Sequence, residues 1–431
     1  MRLLRFLGLN YKIIPKNPKN HKNTKNLKYY MSQKNQKQQQ ISRPQILEGS
    51  RAIALTVKNI KPAVISAYPI TPQTHIVEDL AKFKADGQAD YEYVRAESEF
   101  AAASIIEGAS ATGVRVYSAT SSQGLLLMTE VIFNIAGMRL PVVLTCANRG
   151  ISAPITIWND QQDAMTVRDA GWIMMFAENS QEAVDQHVMA FKLAEKLNLP
   201  VMVNIDGYIL THSYEPVIIP ETEKIKKYLP DYKPKAGTYL DPKNPITMGA
   251  FARPNYYMEI RQDLHDDLIS SLDIINQEYK KYHQVFQYLK LKHQHLNDNG
   301  LIEYYGPRNP KTILIAMGSV VGTIKEYIDN NKSLLGSKVG VLKIKTYRPF
   351  PGEEILKIIK KTKYVAVLDK SISLGHIGPL ASDIKSASQE KIKPKIQSFI
   401  VGLGGRDITS KMIKKIINEV KSSDGNTKFI G

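Results

Sequence analysis

The stretch AVISAYPITPQTHIVEDLAKF spans residues 63–83, and its two halves follow different rules. The first eight residues are a short apolar run that reads as a strand, and the rest repeats its apolar positions at helical spacing. Thr71-Pro72 between them reads as an N-cap followed by proline in the first helical position. Strand, tight junction, helix is the unit from which parallel sheets are built.

The same theme continues on the C-terminal side. YEYVRA (91–96) reads as a second strand, followed by a helix from about Glu97 that stops at Gly113. VRVYSAT (114–120) is a third strand, SSQGLLLMTEVIFNIAG a loop and helix, and LPVVLTCA (140–147) a fourth strand. WIMMFAE, a helix over 181–196 and LPVMVNIDG complete a doubly wound α/β unit over 47–215. Residues 216–310 are Pro- and Lys-rich, then polar and amphipathic from about Tyr256 to Leu296, as in a connecting helix. A second α/β unit is expected over 311–431, with strands at 312–318, 338–345, 364–369 and 396–402 and a last helix at 410–421. No fixed-period repeat covers the chain, which excludes solenoids.

Composition narrows the function. The chain has 431 residues, 43% hydrophobic and 23% charged, which suits two or three globular domains and excludes collagen-like and wholly disordered classes. It has no run of about 18 uncharged apolar residues, so a spanning helix is not expected, and its single cysteine fits a reducing, cytoplasmic location. Its one cysteine, Cys146, cannot make a disulfide framework or hold an iron–sulfur cluster, which needs about four thiolates. Of the net charge of +17, eleven units come from residues 1–47, which contain no acid. The body is therefore only mildly basic, and nucleic-acid binding is not expected. Residues 1–46 read as a disordered basic tail of Lys, Asn and Gln. A solvated extension or a misassigned start, with Met31 as initiator, is preferred for it over an organellar presequence, and that over a nucleic-acid arm.

Ligands of open α/β sheets sit beyond the carboxyl ends of strands, and four junctions there are unusual. At Tyr68-Pro69-Ile70-Thr71-Pro72 a hydroxyl and helix-opening amides converge, suited to gripping a carboxylate, though taken alone a plain helix cap is the preferred reading. Glu97-Ser98-Glu99 puts two carboxylates in the first turn of an apolar helix. The helix dipole alone would account for them, yet a carboxylate against apolar neighbours is also suited to sharing a proton with a ring nitrogen. Thr120-Ser121-Ser122-Gln123-Gly124 is rich in hydroxyls, and its glycine allows close backbone approach. It has neither a Walker lysine nor GxGxxG, so no P-loop or nicotinamide site is indicated. Arg149 follows the fourth strand, where a guanidinium can pair bidentately with a substrate carboxylate; taken alone it reads as a surface arginine.

Together, YPITPQT, then ESE before an Ala-rich helix, then ATSSQGLLLM, then CANRG-SAP-IWND-QQD resemble the α subunit of pyruvate:ferredoxin and related 2-oxoacid:ferredoxin oxidoreductases. The likeness extends through DGYILTHSYEPV (206–217), ITMGAFARPNYYME (246–259), TYRPFP (346–351) and VGLGGRDIT (401–409), and so covers the chain from about residue 46. The NR-SAP-IWND segment resembles the pyruvate branch more than the 2-oxoglutarate branch.

The resemblance implies a pyrimidine-type thiamine-diphosphate-binding domain followed by a transketolase C-terminal-like domain. It implies oxidative decarboxylation of pyruvate, or of a branched-chain, 2-oxoglutarate or aryl-pyruvate alternative, to acyl-CoA and CO2. Glu99 would contact N1′ of the aminopyrimidine, Ser122 and Gln123 would line the cofactor site, and Thr71 and Arg149 would hold the substrate. The chain lacks the Gly-Asp-Gly that begins the family's Mg²⁺–diphosphate motif. Diphosphate, Mg²⁺ and the [4Fe-4S] clusters are therefore expected on a β subunit and other partners. Further γ- and δ-type chains would serve coenzyme A and ferredoxin. No metal site is expected on this chain. In SLGHIGPL (373–380), His376 departs from the more glycine-rich pattern of relatives; a packed or surface histidine is preferred there over a ligand contact.

Overall fold

Aliphatic runs alternate with amphipathic helices through most of this chain, and a strand that is apolar on both faces must be covered by helices on both. The computed structural model describes residues 43–286, 298–332, 338–388, 394–422 and 425–431. Residues 1–42 of the expected tail, with Met31, and the last turns expected of the connecting helix lie outside them.

The N-terminal half runs β1 (Gln45–Glu48), α1 (Gly49–Ile60), β2 (Val64–Ala67), α2 (Thr74–Ala85), β3 (Glu92–Arg95), α3 (Glu99–Ala111), β4 (Val116–Thr120), α4 (Ser122–Leu127), α5 (Thr129–Gly137) and β5 (Val142–Asn148). It continues through α6 (Gln162–Thr166), β6 (Ile173–Phe176), α7 (Ser180–Leu197), β7 (Val201–Asp206), β8 (Tyr214–Val217), α8 (Thr222–Tyr228) and α9 (Pro254–Val285). The C-terminal part holds β9 (Ile302–Tyr305), β10 (Thr312–Ala316), α10 (Val320–Asn330), β11 (Val339–Ile344), β12 (Thr346–Arg348), α11 (Gly352–Ile359), β13 (Tyr364–Asp369), α12 (Pro379–Ser388), β14 (Lys395–Val401), α13 (Ser410–Glu419) and β15 (Lys428–Ile430).

Two sheets organise these elements. One has the order β12-β6-β7-β5-β4-β2-β3, parallel except for β12; the other is β15-β14-β13-β10-β11-β9, parallel except for β9. In the second sheet the faces alternate by residue, as a strand's period of two requires. Ile313, Ile315, Leu342, Ile344, Val365 and Val367 join the main core shared with the first sheet. Leu314, Ala316, Val341, Ala366 and Leu368 join a separate core with Val321 and Ile324 of α10 and Ile413 and Ile416 of α13.

Several expectations shift. Gln45 and Ile46, counted with the tail, belong to β1, which pairs antiparallel with β8. Thr71 does not cap a helix. Residues 70–73 form a turn closed by the Gln73 N–H on the Ile70 carbonyl at 2.9 Å, so α2 starts only at Thr74. The loop and helix expected at 121–137 are two helices. The connecting segment contributes β9 to the second sheet, and Thr346–Arg348 crosses back to pair with β6 of the first.

Candidate functional site

The chain leaves β2 outward to β3 and returns to β4 on the other side of β2, so the crevice between β2 and β4 is a topological switch point. All four junctions singled out in the sequence open there from the carboxyl ends of parallel strands.

The structure separates the two carboxylates of Glu97-Ser98-Glu99. Ser98 caps α3, its Oγ accepting the Ala101 N–H at 3.1 Å, which makes Glu99 the first helical residue and turns it inward. Glu99 is 7% exposed, whereas Glu97 lies open to solvent. The start of α4 rests directly on the Glu99 carboxylate. A Cβ at Gly124 would lie 2.7 Å from Glu99 Oε1 and 2.5 Å from Thr120 Oγ1, so only glycine permits this approach. Thr120 Oγ1 and Gln123 Nε2 are buried with no hydrogen-bond partner among the described residues. Such orphaned groups cost free energy unless a ligand completes them.

Ser122, at φ 47°, turns the chain into α4. Its hydroxyl is 2.7 Å from the Gly150 carbonyl and 2.6 Å from Gln123 Oε1, so it can donate to either. Its N–H donates to Asp163 Oδ2 at 2.9 Å, and the Arg149 N–H meets the same oxygen at 3.0 Å. Asn148 Nδ2 donates to the other oxygen at 2.9 Å. Asp163 is therefore the pin that joins two of the four junctions. Burial pushes its pKa up to about 6, while the amide donors pull the other way. Asp163 had no assigned role in the sequence reading, although QQD (161–163) was among the motifs.

The Arg149 side chain comes to Thr71, as expected, but through the backbone. Nη1 donates to the Thr71 carbonyl at 2.9 Å, and Nε donates to the Thr156 carbonyl at 2.6 Å. The residue as a whole is buried, at 7% exposure, and no carboxylate lies within 4 Å of its guanidinium among the described residues. Burial depresses its pKa, with Asp163 partly opposing. Two carbonyl oxygens solvate this cation without neutralising it.

The second sheet supports the Arg149 loop from behind. Gly405 N–H donates to the Asn159 carbonyl at 2.6 Å, Gly404 N–H to Asp160 Oδ2 at 3.3 Å, and Gln161 N–H to the Lys370 carbonyl at 2.7 Å. The VGLGGRDIT and IWND motifs, far apart in sequence, thus meet. Cys146 is buried beside Asp163, and burial raises its pKa well above the ordinary thiol range. His376 is solvent-exposed in a turn, its N–H on the Ser373 carbonyl.

Comparison with known proteins gives the family. Residues 56–281 match the domain described as "Pyruvate flavodoxin/ferredoxin oxidoreductase, thiamine diP-bdg", and residues 311–413 match "Pyruvate:ferredoxin oxidoreductase core domain II". The pyruvate synthase subunit PorA of Methanocaldococcus jannaschii is 46% identical over 391 residues, which is 90% of this chain and 97% of that one. PorA of Methanothermobacter thermautotrophicus is 42% identical over 90% of this chain and 98% of its own. A ketoisovalerate oxidoreductase subunit VorA of Pyrococcus horikoshii is 39% identical over 88% of this chain and 93% of its own. Among solved structures, a 2-oxoglutarate:ferredoxin oxidoreductase from Magnetococcus marinus shares the fold, with a TM-score of 0.66 at 23% identity. That match covers 88% of this chain and 66% of the other. The chain belongs to the pyruvate:ferredoxin oxidoreductase family of 2-oxoacid:ferredoxin oxidoreductases.

Proposed function

We propose that this chain is the α subunit of a pyruvate synthase, which converts pyruvate and coenzyme A to acetyl-CoA and CO2 and passes the electrons to ferredoxin. The single observation that carries this reading is the presence, in one crevice, of a buried carboxylate and a buried arginine whose guanidinium has no carboxylate within 4 Å among the described residues. The identity with PorA subunits, higher than with VorA, supports pyruvate over a branched-chain acid.

The residues present fit thiamine diphosphate. Thr120 Oγ1 and Gln123 Nε2 are buried and await partners, and the bare face of Gly124 lets the start of α4 pack against Glu99 Oε1 beside them. Bound there, thiamine diphosphate supplies a thiazolium that stabilises the negative charge left when CO2 departs. Glu99 would hold and exchange a proton at N1′ of the aminopyrimidine, and Ser122 and Gln123 would line its pocket. Arg149, held rigid by the Thr71 and Thr156 carbonyls, would bind the substrate carboxylate and keep its keto carbon in place. Thr71 would complete that grip. In this scheme residues 47–215 form the pyrimidine-type unit and 311–431 the transketolase C-terminal-like unit, joined through 216–310.

Cys146, buried and held as a thiol, cannot carry electrons onward. Diphosphate, Mg²⁺ and [4Fe-4S] clusters would belong to a β subunit, with γ- and δ-type chains for coenzyme A and ferredoxin. Tyr68, Phe100, Leu127, Ile155 and Trp158, large apolar side chains near the junctions and 39–80% exposed, would meet the β subunit.

The test is anaerobic viologen reduction by the complex that copurifies with this chain, given thiamine diphosphate, Mg²⁺ and coenzyme A. Pyruvate-selective, coenzyme A-dependent reduction is expected. Faster turnover of a branched-chain acid or 2-oxoglutarate would move the assignment within the family. No reduction with any 2-oxoacid would refute it.

A further inference from the structure

Outside the crevice, three side chains that the proposed reaction does not use converge from separate segments. Glu48 stands between β1 and α1, His75 lies in the first turn of α2, and His212 lies in the loop between β7 and β8. One ligand atom of each lies within 4.8 Å of the other two. His75 Nδ1 is 2.7 Å from Glu48 Oε1, and the two imidazole rings are 4.7 Å apart at 39°.

The arrangement is built rather than incidental. The His212 ring stacks on Tyr208 at 4.4 Å and 20°, and Tyr208 in turn lies 4.5 Å from the Trp158 ring. His212 Nδ1 is 2.7 Å from Thr211 Oγ1, which accepts the Tyr208 N–H at 2.8 Å. A hydroxyl partner on one ring nitrogen orients the other, as outer-shell groups do for ligating histidines. The Glu48 side chain is 18% exposed and His75 47% exposed, so solvent reaches the cluster from one side.

We propose that Glu48, His75 and His212 bind a zinc-class divalent ion, with water in the fourth position. Two imidazoles and one carboxylate are a common three-ligand set for zinc. Tetrahedral bonds of about 2.0–2.1 Å place donors roughly 3.3 Å apart, so side-chain rotation would open the Glu48–His75 pair slightly and close the widest separation by no more than about 1.5 Å. The ion would tie the N-terminal strand–helix corner to the two segments behind the crevice. One is α2, which follows the Thr71 turn; the other starts at Gly207, whose N–H donates to the Asn148 carbonyl at 3.0 Å. The set was not legible in the sequence because its members share no motif spacing.

The test uses the enzyme as it assembles around the full-length chain, equilibrated with zinc chloride, freed of excess ion and assayed for zinc per copy of the chain. Wild type is compared with His75→Ala, His212→Ala and Glu48→Gln, with His265→Ala as a control on an exposed histidine elsewhere. The two histidine variants should each lose one equivalent and bind zinc at least tenfold more weakly. Zinc should raise the melting temperature of wild type and His265→Ala but not theirs. Because the His75 side chain is half exposed, His75→Ala should stay folded, which circular dichroism checks. Folded His75→Ala with the zinc content and zinc-dependent melting of wild type would overturn the proposal.

Discussion

Two settings of buried cations among the described residues are treated in opposite ways. Where the two sheets meet, each has a carboxylate. Lys343 Nζ lies 2.7 Å from both Glu178 and Glu182 and 3.3 Å from Glu303, and Lys325 pairs with Glu178 and Glu303 at 2.8 and 2.7 Å. Lys345 meets Asp298 at 3.0 Å, and Lys370 meets Asp206 at 2.9 Å, where Ser319 also donates. Burial works against the Lys343 charge, but the three glutamates override it and raise its pKa; Glu303 is driven far below the carboxylate range by the lysines around it. In the crevice, Arg149 is a buried residue whose guanidinium, among the described residues, meets carbonyl oxygens and no carboxylate within 4 Å. A buried charge with a partner serves the fold, whereas the Arg149 guanidinium fits the substrate-binding role proposed for it.

The largest effect belongs to the crevice. Glu99→Gln should lower pyruvate-dependent viologen reduction by about 10²–10⁴-fold while the melting temperature stays near wild type, because an amide replaces a carboxylate at a helix start. Full activity in Glu99→Gln, with loss in Glu97→Gln instead, would show that the exposed carboxylate is the working one.

Lys370→Met should destabilise the chain by about 3–5 kcal/mol in chemical denaturation, since it leaves Asp206 buried without its cation. Arg149→Met should change stability by under about 1 kcal/mol yet raise KM for pyruvate at least about tenfold, the loss of one charge-assisted hydrogen bond of about 1.5–3 kcal/mol. Equal destabilisation by the two substitutions would erase the contrast between the regions.

Gly124→Ala sharpens the picture of how Glu99 is held. Its Cβ would crowd Thr120 Oγ1 and Glu99 Oε1, at a cost of about 1–3 kcal/mol, with a matching drop in turnover. The smallest effect is a slope. Burial raises the Asp163 pKa to about 6, above its unfolded value of about 3.9, so between these the folded chain keeps a proton that the unfolded chain has lost. Stability should therefore fall as pH rises from about 4 to about 6, by less than ~1.4 kcal/mol per pH unit for this group, and level off above. Asp369, raised by burial to about 7, adds a parallel trend, so the diagnostic is the difference in slope between wild type and Asp163→Asn melting curves.

The sheets were legible because their strands carry the strongest local signal, continuous aliphatic runs with helical periods between them. Residues 364–369 were read with the bounds that the structure shows, and most others within two or three residues. β9 and β12 were missed because IEYY and TYR are short and owe their pairing to neighbours far away in sequence. The site residues were legible as junctions, but not as geometry. Nothing local distinguishes Glu99 from Glu97; the Ser98 cap and the bare face of Gly124 do so in three dimensions. Thr71 meets Arg149 through its carbonyl rather than its hydroxyl, a contact that no side-chain pattern announces. Asp163 went unassigned because an acid's importance as a buried acceptor depends on amides that arrive from other strands.

The three residues Thr346–Arg348 have a consequence for how the protein can be divided. They follow β11 of one sheet yet form the outer strand of the other, with the Phe176 N–H on the Lys345 carbonyl at 2.8 Å. Cutting the chain in the 216–310 connection would therefore not release two finished modules. The N-terminal fragment would carry β6 as a bare edge, IMMF, able to pair with another copy, and would be expected to aggregate. Gene fusions, splits and chimaeras that respect the order of the sheets would have to carry this short strand across the boundary with the half that it completes.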